Sequence, residues 1–292
     1  MARWALWLAL VTNGAVIVWL WLHGGGVSAV HTLADVWTSV GRVTGLIAVY
    51  LALIQIVLLA RLPPLERLVG FDRLTVWHRN NGKACLLLVL AHVVFITLGY
   101  AGLDQVGISA EIHRLLSNYP GMLAAVVGTA LMVAVVATSI VIVRRRLPYE
   151  AWYAVHLSVY AGIALAYVHQ PPTGNEFTAN TVALDYWIAL YVAVLAILVW
   201  YRAVGPIRSA LRHRMRVEEV ITEAPGVHSI VIAGRALEQL GARGGQFMIW
   251  RFVDRARWWQ AHPFSLSRAP ADGRLRITVK GVGGYTLSLI HI

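Results

Sequence analysis

Residues 78–92 read HRNNGKACLLLVLAH, and residues 156–169 read HLSVYAGIALAYVH. Each stretch is mostly apolar, of helical length, and closed at both ends by histidine. At about 1.5 Å of rise per residue, each histidine pair is separated by roughly 20 Å along a helix axis. The surrounding sequence places both stretches in a membrane. Six runs are long and apolar enough to span a bilayer: Trp4–Leu22, Gly41–Ala60, Gly82–Tyr100, Gly121–Val143, Ala151–His169 and Val182–Tyr201. His78 and His92 therefore bracket the third span, and His156 and His169 the fifth.

Composition agrees. Of 292 residues, 58% are hydrophobic, more than a soluble domain of this length needs. The formal net charge of +11 does not point to nucleic acid, because the arginines cluster beside apolar runs, where the positive-inside rule puts them. Cys85 is the single cysteine, which excludes an internal disulfide and any cysteine-rich metal or iron–sulfur site. Twelve Trp and eleven Tyr suit interfacial belts, with Trp152, Trp187 and Trp200 near span ends. Arg3 and Val27-Ser28-Ala29 give the first run a signal-peptide flavour, but its apolar length favours a retained helix.

Charge sets the topology. One set of loops carries Arg61, Arg67, Arg73, Arg79 and Lys83, then Arg144, Arg145 and Arg146, then Arg202, Arg208, Arg212, Arg214 and Arg216. The other set carries little beyond Arg42 and Arg114. The basic set is expected on the cytoplasmic side of the cell's plasma membrane. The third and fifth spans then run in the same direction, with His78 and His156 at an inner level and His92 and His169 at an outer one.

Ionisable groups at membrane depth are costly and mark function. Two facing imidazoles at each of two levels suit haem iron. Without cysteine or an intramembrane carboxylate, zinc and di-iron sites fit less well. A proton channel or transporter would want acidic relays, yet Glu66, Asp72, Asp104, Glu111, Glu150 and Glu176 fall in loops. One difficulty remains. A 14-residue step returns to within about 40° of one helix face, but a 13-residue step lies about 140° off. The fifth span must rotate, bend or carry a defect, with Gly162 as the expected place.

After Arg216 short β-like runs appear at Val217–Ile221, Ser229–Ala233, Gln246–Phe252 and Arg274–Lys280. Ala224-Pro225-Gly226, Gly244-Gly245 and Ala271-Asp272-Gly273 punctuate them as turns. The expected fold is a mainly α membrane protein: a six-helix transmembrane haem-binding bundle over 1–205, followed by a small antiparallel β-barrel over 212–292 that reads as truncated at Ile292.

The spaced histidine pairs on the third and fifth of six spans resemble the ferric reductase and NADPH oxidase superfamily, its bacterial members most of all. The resemblance implies two b-type haems, inner and outer, each bridging those spans. His262-Pro263-Phe264-Ser265-Leu266-Ser267 resembles the same superfamily's flavin motif, which implies FAD. Phe264 would lie against the isoalloxazine, Ser265 near its reactive nitrogen and His262 toward the pyrophosphate. An aromatic face suits a flat ring, and a short hydroxyl can tune it. Gly281-Val282-Gly283-Gly284-Tyr285-Thr286 looks like the pyrophosphate element, with Lys280, Gly283, Tyr285 and Thr286 as cofactor contacts. The family often has an acid where Gly284 stands. Gly244-Gly245-Gln246-Phe247 resembles a strand entry with a structural role.

The family's nicotinamide domain has no counterpart in these residues, since no strand–glycine turn–helix unit occurs. NAD(P)H would then donate through a domain absent from this chain, in trans or in a longer protein. The implied activity is a transmembrane oxidoreductase that delivers electrons to an extracytoplasmic acceptor such as ferric iron. The alternatives are a relay feeding a periplasmic partner enzyme, a superoxide-producing oxidase, and a non-redox channel or transporter. Arg42 is expected to serve the outer haem, and Arg79 with Lys83 the inner haem's propionates. In the oxygen-reducing members a histidine lies one helical turn past the outer ligand of the third span. Here that position is Ile96, which cannot donate a proton, so dioxygen is not the expected acceptor. His113 and Arg114 are further outer-rim candidates for attracting an anionic one.

Overall fold

The computed structural model describes residues 2–254, 260–282 and 284–289. It divides into two units, Met1–Arg202 and Ala203–Ile292, each considered by itself.

The first unit is helical. Its elements are α1 (Ala2–Trp21), α2 (Leu33–Leu58), α3 (Pro63–Val69), α4 (Phe71–Leu103), α5 (Ile108–Asn118), α6 (Met122–Ser139), α7 (Val141–Arg144), α8 (Tyr149–Tyr167), α9 (Gln170–Thr173), α10 (Asn175–Thr178) and α11 (Thr181–Val199). Six helices, α1, α2, α4, α6, α8 and α11, are long and apolar enough to cross a membrane. Leu87, Leu90 and Val94 on α4 and Leu123 on α6 are exposed, as lipid-facing residues are. The protein is thus a multi-pass membrane protein.

Local chemistry explains the boundaries. The Thr32 side chain accepts from the Asp35 backbone N–H while Asp35 accepts from that of Thr32, a reciprocal cap that starts α2. Asn180 caps α11 through the N–H groups of Val182 and Ala183. At 33 residues, α4 is about 50 Å long. It begins well before the apolar run at Gly82, so the polar turn from His78 to Lys83 is helical too.

The defect expected at Gly162 lies elsewhere. Gly162 is buried inside an unbroken α8. The helix stops at Tyr167, and Val168 and His169 form a turn into α9. Pro171 and Pro172 explain this, because neither has an N–H to give to the carbonyls of Tyr167 and Val168. The backbone tightens there: Val168 N–H donates to Leu165, three residues back rather than four.

A buried core joins Ile17 of α1, Leu46, Tyr50 and Leu53 of α2, Phe177 of α10, and Trp187 and Val194 of α11. Polar ties reinforce it. Tyr50 donates to the Leu10 carbonyl (2.7 Å) and Tyr186 to Asn13 Oδ1 (2.9 Å).

The second unit holds α12 (Gly205–His213), β1 (Arg216–Ala224), β2 (Val227–Ala233), β3 (Phe247–Trp250), β4 (His262–Ala271), β5 (Arg274–Lys280) and α13 (Gly284–Leu289). The strands form one antiparallel sheet in the order β1-β2-β5-β4-β3. The expected barrel is therefore an open sheet among the described residues, with β1 and β3 at its edges. Alternation builds the core. Ile230 pairs with Ile277 and Ile232 with Leu275, and all four are buried. Asp272 and Gly273 both take positive φ, the two-residue hairpin geometry that joins β4 to β5.

Glu111 on α5 is fully buried, and neither carboxylate oxygen has a hydrogen-bond partner among the described residues. Burial, then the nearby Asp104 charge, push its carboxyl above the ordinary range, with Arg114 opposing. A carboxyl whose folded pKa is raised stabilises the fold fully only below its unfolded pKa, and that contribution fades as pH rises through the folded value. Glu111→Gln should therefore raise the apparent melting temperature at neutral pH by roughly 2–4 °C, as expected for about 1 kcal/mol in a chain of this size. The gain should vanish in acid. Thermal melts of the detergent-solubilised protein at about pH 4, below the unfolded carboxyl pKa, and about pH 8 check both parts.

Candidate redox site

The structure brings the four histidines into two pairs. The ring centroids of His78 and His156 lie 6.0 Å apart, and those of His92 and His169 lie 6.4 Å apart. The inner pair links α4 to α8 and the outer pair links α4 to the turn just past α8, and their order requires the two helices to run in parallel.

The second span, α2, orients the α4 rings. Nδ1–H of His92 donates to the Gly41 carbonyl at 2.8 Å, and Nδ1–H of His78 to the Gln55 carbonyl at 3.2 Å. A carbonyl only accepts, so these bonds assign the proton to Nδ1 and leave each Nε2 as a lone-pair donor. Close approach makes this reachable. A methyl group on Gly45 would lie 2.6 Å from His92 Nδ1, and one on Gly41 2.8 Å from Ile96. At the inner level Gln55 also donates to the His78 carbonyl (2.9 Å) and accepts from Asn81 (2.7 Å).

The α8 rings are held differently. Ser139 donates its hydroxyl hydrogen to the Val135 carbonyl (2.6 Å), so its oxygen is left to accept from His156 Nδ1–H at 3.3 Å. Trp152 stacks on His156 at 5.0 Å, and the Arg144 guanidinium lies 4.5 Å over the Trp152 ring. His169 is the exception. Its Nδ1 is buried with no hydrogen-bond partner among the described residues.

A cavity of about 640 Å³ opens beside the outer pair, a size usual for small-molecule and cofactor sites. Arg42, His92, Tyr119, His169, Glu176 and Tyr191 line it, with Ile96 among the apolar residues. Arg114 instead pairs with Asp104 at the surface, 3.1 Å away, and His113 is exposed. Arg79 and Lys83 are also exposed, one and five residues beyond His78.

Sequence reasoning missed several of these residues. Ser139 and Gln55 carried no signal of their own. The Gly41-x-x-x-Gly45 spacing did carry one, since small residues four apart mark close helix approach in membranes. Glu176, read as a loop acid, is 4% exposed, and its Oε1 has no partner.

In the second unit, the His262–Ser265 motif begins β4 and pairs with β3 in the register Phe247↔Ser265, Met248↔Phe264, Ile249↔Pro263 and Trp250↔His262. Trp250 Nε1 donates to the Phe264 carbonyl (3.3 Å). The Gly244-Gly245 turn ties into the same strand, because Gly245 N–H donates to Leu266 and Leu266 N–H to Gln246, both at 2.8 Å. Tyr285 stacks on His262 at 3.7 Å and lies nearly parallel to Phe264 at 6.5 Å. The two glycine- and aromatic-bearing elements read from the sequence thus meet. Thr286 Oγ1 accepts from Val282 N–H (3.0 Å). Lys280 is exposed at the end of β5. Gly283, together with Trp258 and Trp259, lies outside the described residues.

A six-span bundle with imidazole pairs at two levels, joined to a FAD-binding domain, defines a transmembrane oxidoreductase. Residues 44–167 match the ferric reductase like transmembrane component, and residues 228–291 match a FAD-binding domain. Between them these matches cover well over half of the chain, and the chain belongs to the ferric reductase/NADPH oxidase superfamily. No match is found among curated proteins.

The stacked aromatic face gives a test. Phe264→Ala should weaken FAD binding about threefold to tenfold, the cost of losing one ring contact. Ser265→Ala should slow flavin reduction more than it weakens binding. Fluorescence titration with FAD and stopped-flow reduction by dithionite measure the two effects. Unchanged affinity and rate in both variants would remove this motif from the flavin site.

Proposed function

We propose that this chain is a flavocytochrome that carries electrons from cytosolic NAD(P)H, through FAD and two b-type haems, to an extracytoplasmic acceptor such as ferric iron. The observation that carries the reading is the pair of imidazole pairs, with centroids 6.0 and 6.4 Å apart. Two imidazole–metal bonds of about 2 Å each, plus the distance from each nitrogen to its ring centre, add up to roughly this separation. Nδ1 hydrogen bonds at His78, His92 and His156 leave Nε2 as the nitrogen available to a metal, which supports the reading.

When bound, haem at each level supplies a one-electron carrier, and FAD converts a two-electron hydride donor to single-electron steps. His78 and His156 hold the inner position and His92 and His169 the outer one. Arg42 neutralises anionic groups at the outer level, and Arg79 with Lys83 does so at the inner interface. Phe264 packs against the flavin ring, Ser265 bonds near its reactive nitrogen, and His262 faces the pyrophosphate. Lys280, Gly283, Tyr285 and Thr286 complete that contact. The membrane domain covers 1–205 and the flavin domain 212–292. The arginine-rich loops favour a cytoplasmic flavin domain in the cell's plasma membrane. The nicotinamide is bound by residues other than these.

Ligand loss tests the reading. His92→Ala or His169→Ala should release one haem and leave the inner one, while His78→Ala or His156→Ala should do the converse. Gly45→Val should behave like His92→Ala, because its side chain enters the space of that ring. Haem-to-protein ratios measure this directly, and two haems retained in every one of the five variants would refute the ligand set.

The acceptor gives a further test. Ile96 lines the outer cavity and offers neither a proton nor a hydrogen bond. With a complete donor system, ferric chelates should be reduced under anaerobic turnover, and superoxide should account for a minor share of the electrons in air. Superoxide carrying nearly all of them would restore the oxidase.

A further inference from the structure

Two charged side chains face the outer cavity without meeting. Arg42 comes from α2 and Glu176 from α10, and both line the space beside His92 and His169. They form no ion pair with each other among the described residues. Glu176 is 4% exposed, yet its Oε1 has no hydrogen-bond partner among the described residues. A buried polar atom without a partner costs stability, unless a bound group completes it.

The loop is built to hold Glu176 there. Asn175 donates to the Gly24 carbonyl (3.2 Å), Phe177 is buried beside Trp187, and the α-carbon of Gly24 leaves room next to Glu176 Oε1. Burial pushes the Glu176 carboxyl above the ordinary range, against its own backbone N–H and the Arg42 charge. A carboxyl that holds its proton on binding an anionic group is a hydrogen-bond donor as well as an acceptor.

A group that fits between them must accept from a guanidinium and from a carboxylic acid, which describes a carboxylate. We propose that Glu176 is a positioning residue that donates its proton in a hydrogen bond to a propionate of the outer haem, while Arg42 supplies the countercharge. The proposal rests on the two-haem reading above. A soluble ferric carboxylate chelate presents the same chemistry and is the other source to be distinguished.

The test uses the full haem-loaded chain with Glu176→Ala and Glu176→Gln. Three quantities are read: the midpoint potential of the outer haem, the rate of haem transfer to apomyoglobin, and binding of redox-inert gallium(III) citrate. Loss of the donor leaves the propionate more electron-rich, which favours ferric iron. Glu176→Ala should lower the outer haem's reduction equilibrium about tenfold, roughly 59 mV for one electron. It should also speed loss of that haem about tenfold. Glu176→Gln keeps an N–H donor and should stay near the parent on both readouts. Gallium citrate binding should be unchanged, and the inner haem's content and potential serve as the folding control. An unchanged outer potential and transfer rate in Glu176→Ala overturn the proposal, as does a change confined to gallium citrate binding. A parent chain that holds no haem fails the two-haem reading itself, whereas a two-haem parent with an indifferent Glu176→Ala fails this inference alone.

Discussion

An imidazole buried in a bilayer has two ring nitrogens, and the low-dielectric surroundings make either one expensive to leave idle. In α4 that constraint is met by the second span. The carbonyls of Gly41 and Gln55 each take one Nδ1–H, at the outer and inner levels. Both contacts need α2 and α4 to run side by side for about three to four turns, closer than ordinary side chains allow. Glycines line the seam: Gly41 and Gly45 on α2, and Gly82 and Gly99 on α4, where an added methyl would meet Gln55 at 2.8 Å and Thr38 at 2.3 Å. Each glycine forgoes about 1 kcal/mol of helix propensity relative to alanine. A buried, unsatisfied donor costs about 1–3 kcal/mol. The two terms are of one size, so the seam offsets its own cost only because the ring bonds come with it.

Much of this was legible in advance, because apolar run length and histidine placement are both local signals. The six spans follow from windows in which nearly every residue is apolar. The mismatch between the 14- and 13-residue steps was also legible as a requirement for some helical defect. Its location was misjudged because Gly162 looked like the weak point of an apolar helix. The structure uses Gly162 for close packing instead: a methyl on the facing Gly128 would lie 2.5 Å from the Gly162 carbonyl. Pro171 and Pro172, two residues beyond the span, were the better signal, because the carbonyls they deprive lie one turn earlier. In the second unit β4 escaped notice as a strand. Pro263 near its start and alternation broken by Ser265, Ser267 and Arg268 hide a ten-residue element whose outer edge pairs only over four residues of β3.

The acids show where reading a sequence fails for physical reasons. Glu111 and Glu176 stand in polar surroundings along the chain, and hydropathy averaged over neighbours assigns them to solvent. Burial is decided by the tertiary path. The α10 turn folds back over α1 and α11, held by Asn175 at Gly24 and by Phe177 at Trp187, and it carries Glu176 inward. The amphipathic α5 turns Glu111 away from water while Ile108 and Ile112, its neighbours in sequence, stay exposed. No spacing rule along the chain distinguishes these two carboxyls from Glu66, which pairs with Arg61 at 2.9 Å.

The two levels differ in their surroundings, and the difference has a direction. At the inner pair Trp152 stacks on His156 and carries the Arg144 guanidinium over its ring, and Arg79 and Lys83 are exposed one and five residues beyond His78. The outer pair borders a cavity whose lining is mostly apolar, with Arg42 and the buried Glu176 among its few polar members. On the two-haem reading, a bis-imidazole ferric porphyrin core bears a net positive charge and its ferrous form does not. Apolar surroundings penalise the charged, oxidised form and so raise the reduction potential. Cationic neighbours raise it too, but solvent at the inner interface screens them. The outer position is therefore favoured to be the more oxidising of the two. On the two-haem reading, an electron passing from the inner to the outer position would move downhill.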